Sequence, residues 1–92
     1  MSQDASNKPL IEYPTVYAFK VMGKHEDGFA EYVRMKFSRL MGSEVSPDSI
    51  SQNVSKEGRY ISLTVSVYLL SEEQRKTIYA EIHTDKRFVY YL

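Results

Sequence analysis

Between two glycines, the stretch Gly23-Lys24-His25-Glu26-Asp27-Gly28 gathers a cation, an imidazole and two carboxylates. Glycine lets a backbone come close to a ligand, and a helix starting just after the stretch would add free N–H groups and a positive dipole end. Gly23, Lys24, His25 and Gly28 are therefore candidate ligands for a carboxylate or phosphate. Glu26 and Asp27 would repel the same anion, and a plain solvated turn is the favoured reading. The other histidine, His83, falls near the end of a helical stretch, where the helix dipole favours a cation at the surface. Neither histidine has a carboxylate or hydroxyl at a spacing that would make a nucleophile–base pair, and no metal-ligand cluster is visible. The expectation is a non-enzymatic protein with no cofactor and no metal.

Tyrosine is the other chemically useful residue, with eight copies. Arg59 to Leu70 alternates strictly: Ile61, Leu63, Val65, Val67 and Leu69 point one way, and Tyr60, Ser62, Thr64, Ser66 and Tyr68 the other. A two-residue period rich in β-branched and aromatic residues predicts a strand. Its oily side can hold a layer of helices, and its hydroxyl-rich side predicts a sheet covered on one face only. Lys20, Met22, Tyr60, Tyr68 and Tyr91 are the candidate residues of an interaction face on the uncovered side.

The elements that must position these residues follow in order. Residues 1–10 are polar and aperiodic, which predicts a disordered N-terminal tail ahead of a single domain over 11–92. Thr15 to Met22 reads as a first strand, with Tyr17, Phe19 and Val21 on its oily side and Gly23 ending it. From about Asp27, the predicted N-cap, the period becomes helical: Phe29, Ala30, Val33, Phe37, Leu40 and Met41 share an arc, Met35 lies off it, and Gly42 is placed to end the helix. Ser43 to Asp48 reads as a loop and Ser49 to Ser55 as a polar edge strand. Lys56-Glu57-Gly58 turns the chain into the central strand. Ser71 and Gln74 form a capping-box pattern opening a second helix with Ile78, Tyr79 and Ile82 on its apolar stripe. Arg87 to Leu92 returns as the last strand, Phe88, Tyr90 and Leu92 inward, Val89 and Tyr91 outward. The order β-α-β-β-α-β with one-sided strands predicts an α+β, ferredoxin-like fold: a four-stranded antiparallel sheet in the order 4-1-3-2 with both helices on one face.

Composition narrows the partners. Twelve basic and twelve acidic residues cancel, so no bulk field collects nucleic acid or an anionic membrane. Cysteine is absent, which removes disulfide and thiol chemistry. The first residues lack the basic-then-apolar layout of a signal peptide, and no apolar run approaches the ~20 residues that span a bilayer. A cytoplasmic protein without membrane contact is expected. The polar second strand gains little from edge pairing, so a monomer or weak homodimer is expected.

Two resemblances add to this. The spacing of Val21-Met22-Gly23 and Gly28-Phe29 resembles the start of ACT domains, small regulatory modules of the same topology, many of which bind amino acids at that loop. Across about residues 12 to 92 the chain resembles the bacterial YbeD-like family of uncharacterised small proteins, through Tyr13-Pro14-Thr15, Phe19-Lys20-Val21-Met22-Gly23 and the run from Ser55 to Thr64. This likeness implies the same ferredoxin-like, ACT-like fold and no established activity. The leading expectation is a regulatory or adaptor domain that binds a protein partner or a small metabolite. The alternative is an RNA-binding module using the open sheet face. Strand one, however, offers Val16, Ala18, Lys20 and Met22 there, and no stacking ring.

Overall fold

Strand β3, Tyr60–Leu69, lies at the heart of the sheet, and its burial alternates residue by residue in the computed structural model, which describes residues 11–92. The expected tail, residues 1–10, lies outside the described residues. β1 (Thr15–Lys24) pairs antiparallel with β3 along its whole length, from Thr15↔Leu69 to Lys24↔Tyr60. β2 (Ile50–Val54) borders β3 on the outer side, and β4 (Tyr90–Tyr91) borders β1. The order β2-β3-β1-β4 is the expected 4-1-3-2 read from the other edge. Helices α1 (Phe29–Met41) and α2 (Glu72–Thr84) supply Phe29, Val33, Phe37, Ile78 and Ile82 to the same core as the odd residues of β1 and β3. The architecture is the ferredoxin-like α+β fold. Among the described residues no helix is long and apolar enough to cross a membrane.

Local chemistry explains most boundaries. Gly28, at φ 85°, caps α1 in place of the expected Asp27, because the chain must enter the left-handed region there and glycine does so without a Cβ clash. Gly42, at φ 74°, closes the helix, its N–H and that of Ser43 returning to Arg39 O and Ser38 O. Ser71 Oγ accepts from Gln74 N–H (3.1 Å), as the capping box requires. β2 is shorter than expected because Pro47–Ser49 winds into a 3₁₀ turn capped by Ser46.

Phe19 has no exposed surface and packs edge-on between Tyr17 (4.8 Å between centroids) and Tyr79 (4.9 Å), with Phe37 at 5.4 Å. One charge enters this apolar layer. Lys36 on α1 is buried, and its Nζ lies 2.9 Å from Asp85 Oδ2, with Glu81 Oε1 at 3.8 Å. Asp85 also accepts from the Tyr32 hydroxyl and from Arg87 N–H (2.9 Å). The Arg87 guanidinium stacks over the Tyr32 ring at 4.1 Å. One carboxylate thus ties α1, the end of α2 and the approach to β4. Burial raises the Asp85 pKa, but the hydrogen bonds from Tyr32, from the Arg87 backbone and from Lys36 outweigh it and hold it below the ordinary value.

Two stability predictions follow from these charges. Asp85→Asn keeps an acceptor but strands the Lys36 charge. It is expected to cost about 3 kcal/mol, the low end for a broken buried pair, because Glu81 stays near. Lys36→Met combined with Asp85→Asn should regain most of that loss in urea denaturation. The second concerns pH. Glu72, hydrogen-bonded first by Arg75 and then by Tyr13, is lowered to about 2. Asp85 and Glu72 are both more acidic folded than unfolded, so their contributions are complete above ordinary carboxyl values and are lost as pH falls toward the folded ones. The urea midpoint should hold between about pH 7 and 5 and fall between about 4.5 and 2, less steeply in Glu72→Gln.

Candidate functional site

The β1–α1 connection does not gather its expected ligands into one cradle. Gly23 lies within β1, opposite Ile61, and is glycine for packing: a Cβ there would sit 2.3 Å from the Phe29 ring and 2.8 Å from Arg87 O. Lys24 is exposed and pairs across to Tyr60. His25 is pinned to the β2–β3 hairpin. Its N–H donates to Arg59 O (2.8 Å) and its Nδ1 lies 3.1 Å from Gly58 O. A carbonyl only accepts, so Nδ1 carries a proton. The groove beside this loop, about 400 Å³, is lined by His25 and Gly28 but also by Glu26, Asp27 and Glu31, and by neither Gly23 nor Lys24. Three carboxylates around a helix start counter the dipole that would attract an anion.

The open sheet face is built from the even residues of β1 and β3. Lys20 pairs with Thr64, which has Ser51 on its other side, and Met22 pairs with Ser62, which has Asn53 on its other side, giving a largely polar centre with one cation. Tyr60 and Tyr68 lie at opposite ends of β3, roughly 27 Å apart at ~3.4 Å per residue. Tyr68 pairs with Val16, and both are more than half exposed, as is Leu70 beside them. At the β4 side a small cleft of about 120 Å³ is lined by Lys20, Val21, Met22, Ser62, Tyr90 and Leu92.

Tyr91 does not belong to this face. It pairs with Val21, so it points under the helices, where its hydroxyl lies 3.0 Å from His83 Nδ1 and its ring 5.9 Å from Tyr79. Tyr90 and Leu92 point outward instead, 57% and 62% exposed. The cause is an extra residue in the last strand. Val89 N–H donates to Met22 O (2.8 Å), although the register partner of Met22 is Tyr90, so two residues face one. Such a bulge shifts the alternation by one position after Phe88, which stays buried as expected.

A line of polar contacts on the helix side also escaped the sequence reading. Arg75, paired with Glu72 (2.8 Å), donates to the Tyr17 hydroxyl (3.4 Å), which is 3.0 Å from the Tyr79 hydroxyl, and Tyr79 donates to Leu92 O (2.9 Å). Burial and the Tyr17 hydroxyl push the Tyr79 phenol above its ordinary value, which keeps it protonated as a donor. The Glu72/Arg75 spacing of three was the available signal.

If Gly23 serves packing, Gly23→Ala should cost about 1–3 kcal/mol, since Phe29 and a backbone oxygen must both move. Gly28→Ala meets no atom and should cost only the strain of its positive φ, about 1 kcal/mol. Melting of the two variants checks the order.

The comparisons with known proteins agree with this fold. A UPF0250 protein of Leptothrix cholodnii is 38% identical over 73 residues, covering 79% of each chain. A UPF0250 protein of a Janthinobacterium species is 33% identical over 92 residues and covers all of both chains. Among solved structures, the solution structure of protein HP0495 from H. pylori superposes with a TM-score of 0.65 at 23% identity, covering 95% of this chain and 90% of that one, a likeness of fold. Residues 8–92 match the family model described as "Protein of unknown function (DUF493)". The chain therefore belongs to the DUF493, or UPF0250, family, the YbeD-like proteins that its motifs resemble.

Proposed function

We propose that this protein is a cytoplasmic, non-enzymatic adaptor or regulatory module whose contact surface is the open face of the sheet. The observation that carries the reading is the arrangement of that face. Exposed apolar side chains flank a hydroxyl-rich centre, Val16, Tyr68 and Leu70 at one end and Tyr90 and Leu92 along the β4 edge beside Met22 and Lys20. Large apolar bodies with polar tips supply contact area, and the hydroxyls between them supply hydrogen bonds, a composition suited to meeting another protein. The cleft on this face, about 120 Å³, is smaller than the ~300–1,000 Å³ typical of small-molecule sites, which favours a macromolecular partner over a metabolite. Stacking successive bases needs neighbouring rings, and the separation of Tyr60 from Tyr68 favours protein over RNA.

The test places a photoreactive phenylalanine analogue at Tyr60, Tyr68 or Tyr90, and as a control at Met35, which is 58% exposed on α1. The face positions are expected to yield a discrete cross-linked protein product and Met35 none. Capture through Met35 alone, or through none of them, sinks the reading. The triple variant Tyr60→Ser, Tyr68→Ser, Tyr90→Ser should lose that product while melting within about 2 kcal/mol of wild type, since exposed rings contribute little to the core.

A further inference from the structure

β2 is shorter than the strand it borders. Its register runs from Val54↔Ile61 to Ile50↔Val65, while β3 continues to Leu69. Past Ser66, β3 is paired only on its β1 side, Val67 with Tyr17 and Tyr68 with Val16. The hairpin fixes where the backbone groups of this stretch point. Ser55 N–H donates to Tyr60 O (2.8 Å) on the β2 side, and His25 N–H to Arg59 O (2.8 Å) on the β1 side. N–H and C=O groups alternate sides along a strand, so the even residues of β3 aim theirs toward β2. Ser66 faces Ser49 at the end of the β2 register, where the Ile50↔Val65 pair is closed, so Tyr68 is the residue whose groups aim where β2 no longer runs, and among the described residues it has no backbone partner there. Leu70 N–H ends the series on Gln74 Oε1 (2.8 Å).

Beside this edge lies a slot of about 410 Å³, with Met41, Val45, Val67 and Leu70 on its apolar walls. The charged side chains that line it and the groove past Leu70 are carboxylates, with Arg34 behind them on Val45 O (3.1 Å). Glu44 lines the slot and Glu73 the adjoining groove past Leu70, and no Lys or Arg lines either. Glu44 meets Arg34 at 3.4 Å but stays 78% exposed. Unpaired backbone groups, an apolar slot in the strand direction and an acidic rim together fit an extended, basic chain. We propose that the Val67–Leu70 edge of β3 accepts an added strand from a partner protein, a segment of alternating apolar residues flanked by Lys or Arg. Pairing with a second copy would bring like carboxylates together at the same edge, so charge favours a different chain. The proposal rests on the adaptor reading and specifies its mode of contact.

The probe is an acetylated, amidated peptide, Lys-Val-Thr-Val-Thr-Lys, added to the full chain and followed by amide shifts and hydrogen exchange. In the free protein, the Tyr68 amide should exchange quickly, while Val65 and Val67, bonded toward β1, exchange slowly. The peptide should slow Tyr68. N-methylation of its alternate amides should abolish the effect, and replacing its Lys with Glu should weaken it. Glu73→Lys in the protein should weaken binding about fivefold. No response at this amide up to millimolar peptide, or equal response to the N-methylated peptide, overturns the proposal. So does protection already present without peptide: if it grows with protein concentration the edge pairs copies of this chain, and if it does not, the chain covers its own edge. Cross-linking from Tyr60 and Tyr90 that persists when the peptide fails removes only the strand-addition mode, whereas loss of both removes the adaptor reading.

Discussion

The two-residue period of β3 decides two separate things at once. Side chains alternate between faces, so the odd residues from Ile61 to Leu69 are committed to the helices and the even ones to water. Backbone groups alternate between neighbours, so the same parity settles which residues bond β1 and which bond β2. Because β1 matches β3 over its whole length, it inherits the same division, with Phe19 and Val21 inward and Lys20 and Met22 outward. A core this small leaves no second apolar layer to place on the other side, and the hydroxyls of Ser62, Thr64 and Ser66 make that face tolerable in water.

Within the buried layer, the Lys36–Asp85 pair is the costliest feature to place, since both charges leave water. What compensates is the number of donors aimed at one carboxylate, from Tyr32, Lys36 and the Arg87 backbone. These donors come from α1 and the last connection, while Asp85 itself caps the end of α2. Asp85 therefore fixes where the chain leaves α2 and starts back toward β1. The bulge at Val89 follows only a few residues later, so the geometry of β4 depends on a contact made on the opposite side of the core from the open face.

How much of this was legible in the sequence depended on whether a feature is periodic. The strict alternation of β3 and the helical arc of Phe29, Val33 and Phe37 gave the fold, its topology and the open face, because period alone assigns a residue to one side. The cap at Gly42 and the Ser71/Gln74 box were legible because they are local chemistry at fixed offsets. Tyr91 was misplaced because a single extra residue breaks the period, and nothing in Arg87-Phe88-Val89-Tyr90-Tyr91 marks where the bulge falls. Lys36 was passed over for a different reason. A lysine on an apolar arc is normally solvated, and its partner lies 49 positions along the chain (85 − 36), beyond any local pattern. The role of Gly23 was equally hidden, since a glycine needed for space and a glycine needed for a ligand look alike in a sequence.

Gly23 also bears on how the two central strands find each other. A slip of β1 against β3 by one residue is penalised at every position, because it would turn Phe19 and Val21 out to water. A slip by two residues keeps all faces correct, and alternation alone cannot reject it. Such a slip would carry Val21 or His25 into the place beneath Phe29 and Arg87 O, where even a methyl group has no room. The absence of a side chain at residue 23 thus distinguishes one pairing among those that hydrophobic patterning leaves equivalent. It works as an alignment mark, read by the helix that closes over it, in a sheet whose central strands would otherwise fit together in several ways.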